Sequence, residues 1–361
     1  MSKLAIAHEW LAVRAGSEKT FEAMAQAYPE ADLYALTWDR DAQFDFSGRE
    51  VTTTLLDRWP ALRDRRELAL PLMSLAWKAI DVHDTYDVVL TSSHAFVRSF
   101  PPAKRATHFC YCHTPLRYAW VPDIDARTQR RIPGKSAAFA ALREWDRRTA
   151  KNVDFFAANS TAVRDRIHEC YGRESAVIHP PVDTVYYDLP AEPVERTRAL
   201  AVSRFVPYKS VALAIEACAA AEVPLTVAGK GPQEQELRAL AAGLGADVEF
   251  EISPSDERLR QLYHACSALV FPANEDFGII PVEAQACGAP VVALDVGGAR
   301  DTVVQGETGL RVQRQETGLF AEAIRDLVAS PPQATVCRSN AEGFSVQRFM
   351  RELRDWVDQN S

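Results

Sequence analysis

No run of apolar residues in this chain reaches the roughly 18 that a membrane-spanning helix requires. The start, MSKLAIAHEWLAV, is interrupted by His8 and Glu9 and has neither the length nor the cleavage pattern of a signal peptide. Low-complexity tracts are missing too. Cysteine occurs seven times, an odd number scattered along the chain, so no disulfide framework is expected. Free thiols in a reducing compartment are, and that places the protein in the cytoplasm. The formal net charge of −8 has the wrong sign for a general nucleic-acid binder. Cys110 and Cys112 beside His113 have no second pair at ligand spacing, which argues against zinc.

What is present suits two ordinary domains. The chain has 361 residues, 47% of them hydrophobic, enough for two separate cores. Strand-like runs at 3–7, 32–37, 87–93, in the apolar stretch from 107 that ends at His113, and at 198–205, 225–230, 247–252, 267–271, 291–295 and 309–312 alternate with helical patterns, among them 61–80. Such alternation implies α/β architecture with parallel, doubly wound sheets. The paired prolines of VIHPPVD (177–183) suit a stiff connector. The expected organisation is therefore a first domain over 1–183, a second over 184–342, and a terminal helix within 343–361, whose apolar positions are Val346, Phe349, Leu353 and Trp356. One basic stretch stands out, between Arg98 and Arg173, with Arg130, Arg131, Lys135, Arg147, Arg148 and Lys151. It reads as a solvated face or as a surface for anionic lipid or lipid-linked phosphates.

Residues 271–288, FPANEDFGIIPVEAQACG, organise the rest. A strand runs to Phe271, breaks into an acidic turn at Glu275 and Asp276, passes through Phe277-Gly278-Ile279-Ile280, and enters a helix. Pro281 suits the first helical position, which puts Glu283 in the opening turn. There a glutamate is a common cap for free amides. The glycine turn and helix start together form an anion site, however, and a carboxylate beside one makes sense when the ligand carries hydroxyls as well as phosphate. Nucleotide sugars are such ligands. Arg204 and Lys209 leave a second strand end together before another helix, a pairing suited to a diphosphate. Gly231, in the turn Gly229-Lys230-Gly231 after a strand, is a weaker phosphate or nucleoside candidate. His8 closes the first strand, where ligands of open parallel sheets bind. His94, in Ser92-Ser93-His94, lies at another strand end.

With these residues in view, Glu275 and Glu283, seven residues apart, resemble the E-x7-E signature of retaining glycosyltransferases of family 4, which have the GT-B fold of two doubly wound Rossmann-like domains with an interdomain cleft. THFCYCHTPLRYAW (107–120) resembles that family's Y-x-H-T-P-x-R-Y loop, and Arg204 with Lys209 its R-x-x-x-x-K diphosphate clamp. Where the family carries two adjacent glycines after the first strand, this chain has Ala15 and Gly16. The resemblance implies that His113 hydrogen-bonds a donor hydroxyl near the anomeric carbon, that Glu275 binds sugar and Glu283 ribose hydroxyls, that Phe277, Gly278, Ile279, Ile280 and Gly16 line the donor, and that Arg117 lies toward the acceptor with His8 and His94. It further implies that the last helix returns to the first domain. Asp39-Arg40-Asp41 fits the metal-binding D-x-D of a different glycosyltransferase fold, but no rival donor signature surrounds it.

The implied activity is metal-independent, retaining transfer of a hexose from a nucleotide diphosphate sugar, with GDP-mannose favoured. The acceptor would be a glycan, lipid-linked or small-molecule hydroxyl, without a cofactor and with peripheral contact to the inner face of a membrane as a further expectation. A nucleotide-sugar epimerase or phosphorylase of the same fold, and a non-catalytic sugar-nucleotide sensor, are the alternatives.

Overall fold

Short runs rich in Val, Ile, Ala and Phe, apolar at successive positions, suit strands covered on both faces, and this chain forms two sheets of them. The computed structural model describes residues 3–61, 66–82, 85–101, 105–120 and 135–361. The chain divides into two units, Met1–Pro181 with Gln347–Ser361, and Val182–Val346.

The first unit holds β1 (Leu4–Leu11), β2 (Asp32–Trp38), β3 (Val51–Thr53), β4 (Val88–Ser93), β5 (Thr107–Cys112), β6 (Phe155–Ala158) and β7 (Ala176–Val177). They lie in the order β3-β2-β1-β4-β5-β6-β7, every pair parallel. Its last helix, Val346–Asn360, sets Phe349 edge-on to Tyr111 and Trp356 edge-on to Phe109. Arg354 Nε donates to the Ala27 carbonyl. The second unit holds β8 (Arg198–Arg204), β9 (Leu225–Lys230), β10 (Val248–Ile252), β11 (Cys266–Phe271), β12 (Val291–Leu294) and β13 (Gly309–Val312), in the order β10-β9-β8-β11-β12-β13, again all parallel. Alternate residues feed opposite faces: Leu269 and Phe271 join one buried cluster, Ala268 and Val270 the other. In both sheets the order reverses once, between β1 and β4 and between β8 and β11. These are the topological switch points of open α/β sheets.

Several local expectations change. β1 does not end at Ala7 but runs through His8, Glu9, Trp10 and Leu11, because His8 and Trp10 pair with Ala35 and Thr37 of β2, and His8 also with Ser92 of β4. Polar residues that interrupt an apolar run are thus held by the ladder. The helix Gly16–Ala27 is capped at Ala15 without a side-chain bond, and the hydroxyl of Ser17, a residue whose type suits a cap, donates instead to Glu18. The expected helix over 61–80 is described as Arg66–Lys78. β3, β6 and β7 are additions, too short to register as periodic. The helix Thr161–Tyr171 starts under a Ser160 cap and ends at left-handed Gly172, as its Asn-Ser-Thr start and Tyr-Gly end suggest. All seven cysteines are unpaired and buried. No helix among the described residues is long and apolar enough to cross a membrane.

Part of the basic stretch is turned inward, while Arg147, Arg148 and Lys151 remain exposed. Arg130 and Arg131 lie outside the described residues, as does the Lys135 side chain. Arg143 donates to the Ala119 carbonyl, Arg147 to Cys170, and Arg173 to Asp154. Arg98 is buried in an ion pair with Asp146, whose carboxylate also accepts from Tyr171 Oη at 2.6 Å and Trp120 Nε1 at 2.8 Å. Removing one partner of such a pair strands a buried charge. Asp146→Ala is expected to cost about 3–5 kcal/mol, read as a lower denaturation midpoint, while Arg148→Ala, whose partner Glu144 is exposed, changes it by about 1 kcal/mol or less.

Candidate functional site

At the β8/β11 switch point the chain leaves both strand ends into turns that carry charge. After Arg204 comes the tight turn Pro207–Lys209, then Ser210 in the left-handed region, then the helix Val211–Ala221. Lys209 Nζ is paired with the carboxylate of Glu275, which follows β11. Their side chains are only 11% and 20% exposed, so the pair is partly desolvated. Tyr208 stands beside both cations: its hydroxyl bonds Arg204, and Lys209 Nζ lies 5.1 Å from its ring centroid. Arg204 itself is exposed. Gln315 braces the two turns, donating to Ser210 Oγ at 3.0 Å and to the Pro272 carbonyl at 2.8 Å.

The loop after Glu275 is held by backbone contact. Gly298 N donates to the Glu275 carbonyl at 3.0 Å. A Cβ on Gly298 would fall 2.1 Å from the Phe277 carbonyl oxygen, and one on Gly297, at φ +59°, 2.1 Å from that of Glu275. Phe277 is buried, while Ile279 and Ile280 are half-buried. Gly278, at φ +82°, precedes the helix Ile279–Ala286, so helix entry is two residues earlier than Pro281. A proline is tolerated at this third position because the first four amides have no intrahelical acceptor. Glu283 therefore sits in the second turn, beyond capping reach, and is buried. Tyr263 Oη donates to its Oε2 at 3.0 Å. Burial, and next the Glu283 carboxylate, push the Tyr263 phenol well above its ordinary value. Gly231 packs directly on backbone: a Cβ there would lie 2.4 Å from the Phe205 carbonyl oxygen.

In the first unit the β1/β4 switch point gathers three histidines. Ring centroids of His8, His94 and His113 lie 5.8 to 6.4 Å apart. His8 is fully buried, stacked on Phe21 at 5.0 Å, and its Nδ1 is 3.0 Å from Ser92 Oγ. The same hydroxyl is 2.8 Å from His113 Nε2. Burial first, and His113 second, push the His8 imidazole down to about 3, so it stays neutral. Next to it, the buried Glu9 accepts from the amides of Ala95 at 2.8 Å and Val97 at 3.0 Å, fixing the bend that carries His94. Burial pushes the Glu9 carboxyl upward against those amides. Gly16 opens the helix after β1, and Arg117, half-buried, opens the short helix Arg117–Trp120 beyond His113.

The expected residues thus form two groups, one at each switch point: His8, His94 and His113 in the first unit, and Arg204, Lys209 and Glu275 in the second, with Glu283 in the helix that follows. Tyr208, Tyr263, Gln315, Glu9 and Ser92 went unnoticed in the sequence. Only Tyr208, inside the cationic turn, carried a local signal.

The family model "Glycosyltransferase Family 4" matches residues 15–186, and "Glycosyl transferases group 1" matches 190–344. The D-inositol 3-phosphate glycosyltransferase of Rhodococcus erythropolis is 32% identical over 243 residues, 57% of this chain and 54% of that protein. D-inositol 3-phosphate glycosyltransferase 1 of Catenulispora acidiphila is 30% identical over 265 residues, 63% of this chain and 60% of its own length. The matches therefore span little more than half of these relatives. In structure, the sucrose-phosphate synthase of Thermosynechococcus elongatus superposes with a TM-score of 0.76 at 20% identity, covering 98% of both chains. HepE of Anabaena, in complex with UDP and glucose, gives 0.74 at 19% identity, covering 99% of this chain and all of that one. At such identities the likeness establishes the GT-B fold.

The close packing of Gly298 has a measurable consequence. Gly298→Ala is expected to displace the Glu275–Gly278 loop, seen as faster amide exchange there, whereas Gly318→Ala, which meets nothing within 4 Å, leaves exchange unchanged.

Proposed function

The chain belongs to the family 4 glycosyltransferases, and from that membership we propose that it moves a hexose from a nucleoside diphosphate sugar to an acceptor hydroxyl with retention of anomeric configuration. The observation that carries this reading is the Lys209–Glu275 pair at a switch point, beside Arg204 and a helix start. A partly desolvated lysine neutralised by a carboxylate can exchange that partner for an incoming diphosphate. Glu275 is then released to accept from sugar hydroxyls, while Arg204 adds a planar fork of donors to the phosphates.

The transition state develops positive charge on the sugar ring and negative charge on the departing phosphate. Arg204 and Lys209 stabilise the second of these. The bond from the anomeric carbon to the phosphate oxygen breaks, a bond to the acceptor oxygen forms on the same face, and the acceptor proton passes to the leaving phosphate. Cationic side chains supply the charge in this scheme, and no metal or cofactor enters it. Glu283, oriented by Tyr263, accepts from the ribose hydroxyls. Gly16 and the backbone from Phe277 to Ile280 line the donor, and His113 hydrogen-bonds the sugar. Gly231 acts chiefly through its backbone fit to Phe205, with His94 and Arg117 serving the acceptor side. The expected acceptor role of His8 is corrected by its full burial, which makes it a support for its neighbours.

The inositol-phosphate enzymes among its relatives support a polyol or glycoside hydroxyl as acceptor. The UDP bound to HepE supports a nucleoside diphosphate as leaving group. Thermal shift with GDP-mannose, UDP-glucose and UDP-N-acetylglucosamine identifies the donor, and product analysis with and without acceptor completes the test. Product without acceptor makes the protein an epimerase. Nucleotide binding without transfer to any acceptor makes it a sensor.

In the transferring enzyme, Lys209→Ala is expected to lower kcat roughly 10²–10³-fold, and wild-type turnover would remove the clamp. Glu283→Ala is expected to weaken binding of the free nucleoside diphosphate about 10–100-fold by calorimetry, the loss of charged hydrogen bonds.

A further inference from the structure

Between two of the histidines stands a hydroxyl with a single proton. Ser92 Oγ lies 3.0 Å from His8 Nδ1 and 2.8 Å from His113 Nε2, so it donates to one ring and accepts from the other. Two arrangements satisfy both contacts. In one the chain of donation runs from His113 through Ser92 to His8, which leaves His8 with its proton on Nε2. That nitrogen is buried and has no hydrogen-bond partner. In the other it runs from His8 Nδ1 through Ser92 to His113 Nε2, and His8 Nε2 is a bare lone pair. An orphaned N–H in a buried setting is the rarer and costlier defect. The second arrangement wins.

We propose that Ser92 is a positioning residue that locks His113 in one tautomer, with Nε2 as acceptor and the ring proton on Nδ1, by relaying the donation of the buried His8. The role rests on the reading of His113 as a sugar-binding group. The relay is rigid by construction. His8 is clamped between the β2 and β4 ladders and stacked on Phe21, Ser92 is fully buried in β4 directly opposite His8, and Tyr111, edge-on at 5.2 Å, and His94 flank the His113 ring. A histidine on the loop after β5 is thereby given the orientation of a strand residue. A ring held in one tautomer presents the same groups at all times, whereas one free to exchange tautomers would present them only part of the time.

The test uses the full chain labelled with ¹⁵N-histidine, in which long-range ¹H–¹⁵N correlations show which ring nitrogen carries the proton. The His113 signal is identified by its loss in His113→Gln. The expected result is a protonated Nδ1 in the wild type and a shift toward the other tautomer in Ser92→Ala, with Ser92→Thr, which keeps the hydroxyl, restoring the original state. A protonated Nε2 in the wild type, or an unchanged tautomer in Ser92→Ala, overturns the proposal. With the donor identified, Ser92→Ala is further expected to lower kcat about tenfold with little change in donor KM, and Ser92→Thr to recover it. An equal loss in both variants assigns Ser92 to packing alone. The tautomer is read without substrate, so failure of the glycosyl-transfer reading and failure of the relay show up separately.

Discussion

The constraint on which the rest depends is the single reversal of strand order in each all-parallel sheet. Right-handed crossovers cover both faces of such a sheet, but where the winding changes direction two neighbouring strands send their connections to opposite faces. The carboxyl ends there stay uncovered. Polar groups placed at these ends are near enough to the core to be held rigidly and far enough out to meet a ligand. Every charged group assigned above a catalytic or binding role, apart from Arg117, comes from one of these two reversals or from the helix that follows.

Holding charge at such a place has a cost, and the two units meet it differently. In the second unit Lys209 is neutralised by Glu275, a pairing in which each ion offsets the desolvation of the other. A ligand that carries both anionic phosphate and neutral hydroxyls fits this pair, because it offers each partner a replacement. In the first unit burial, rather than an ion pair, sets the state of the groups beside the switch point. Burial holds His8 uncharged and raises the Glu9 carboxyl, so both serve as hydrogen-bonding struts.

Legibility in the sequence followed the range of the interactions. Glu275, Glu283, Arg204 and Lys209 could be picked out because each lies in a strand–turn–helix segment whose local composition, a strand end followed by small or cationic residues, departs from its surroundings. The sheets were readable because strands buried on both faces are continuously apolar. Residues whose roles depend on distant partners were not. Ser92 and Glu9 look like ordinary strand residues until β1 and β4 are paired, Tyr263 gains meaning only when its helix meets Glu283, and Gln315 touches residues far away in the chain. The start of the helix at Ile279 was misplaced for a related reason. Pro281 is a strong local signal, and the left-handed Gly278 that sets the true entry depends on packing against Phe271.

The basic stretch holds cations of two kinds, some bonded within the unit and others, such as Arg148 and Lys151, exposed. Arginine can satisfy several carbonyls at once and stack on rings, so in a segment rich in helix ends and aromatic residues it is as much a structural residue as an electrostatic one. Arg49 illustrates this elsewhere, reaching the carbonyls of Ala25, Tyr28 and Pro29 at the end of the helix Gly16–Ala27. Arg143, Arg147 and Arg173 do the same across the segment after β4, and Arg98 pairs there with the Asp146 carboxylate. Arg147 joins the helix Lys135–Ala150 to the helix Thr161–Tyr171, and Arg98 joins both helices to the segment after β4. A rigid platform beneath the β1/β4 reversal is what a tautomer-locked His113 requires, and these bonded cations help to supply it.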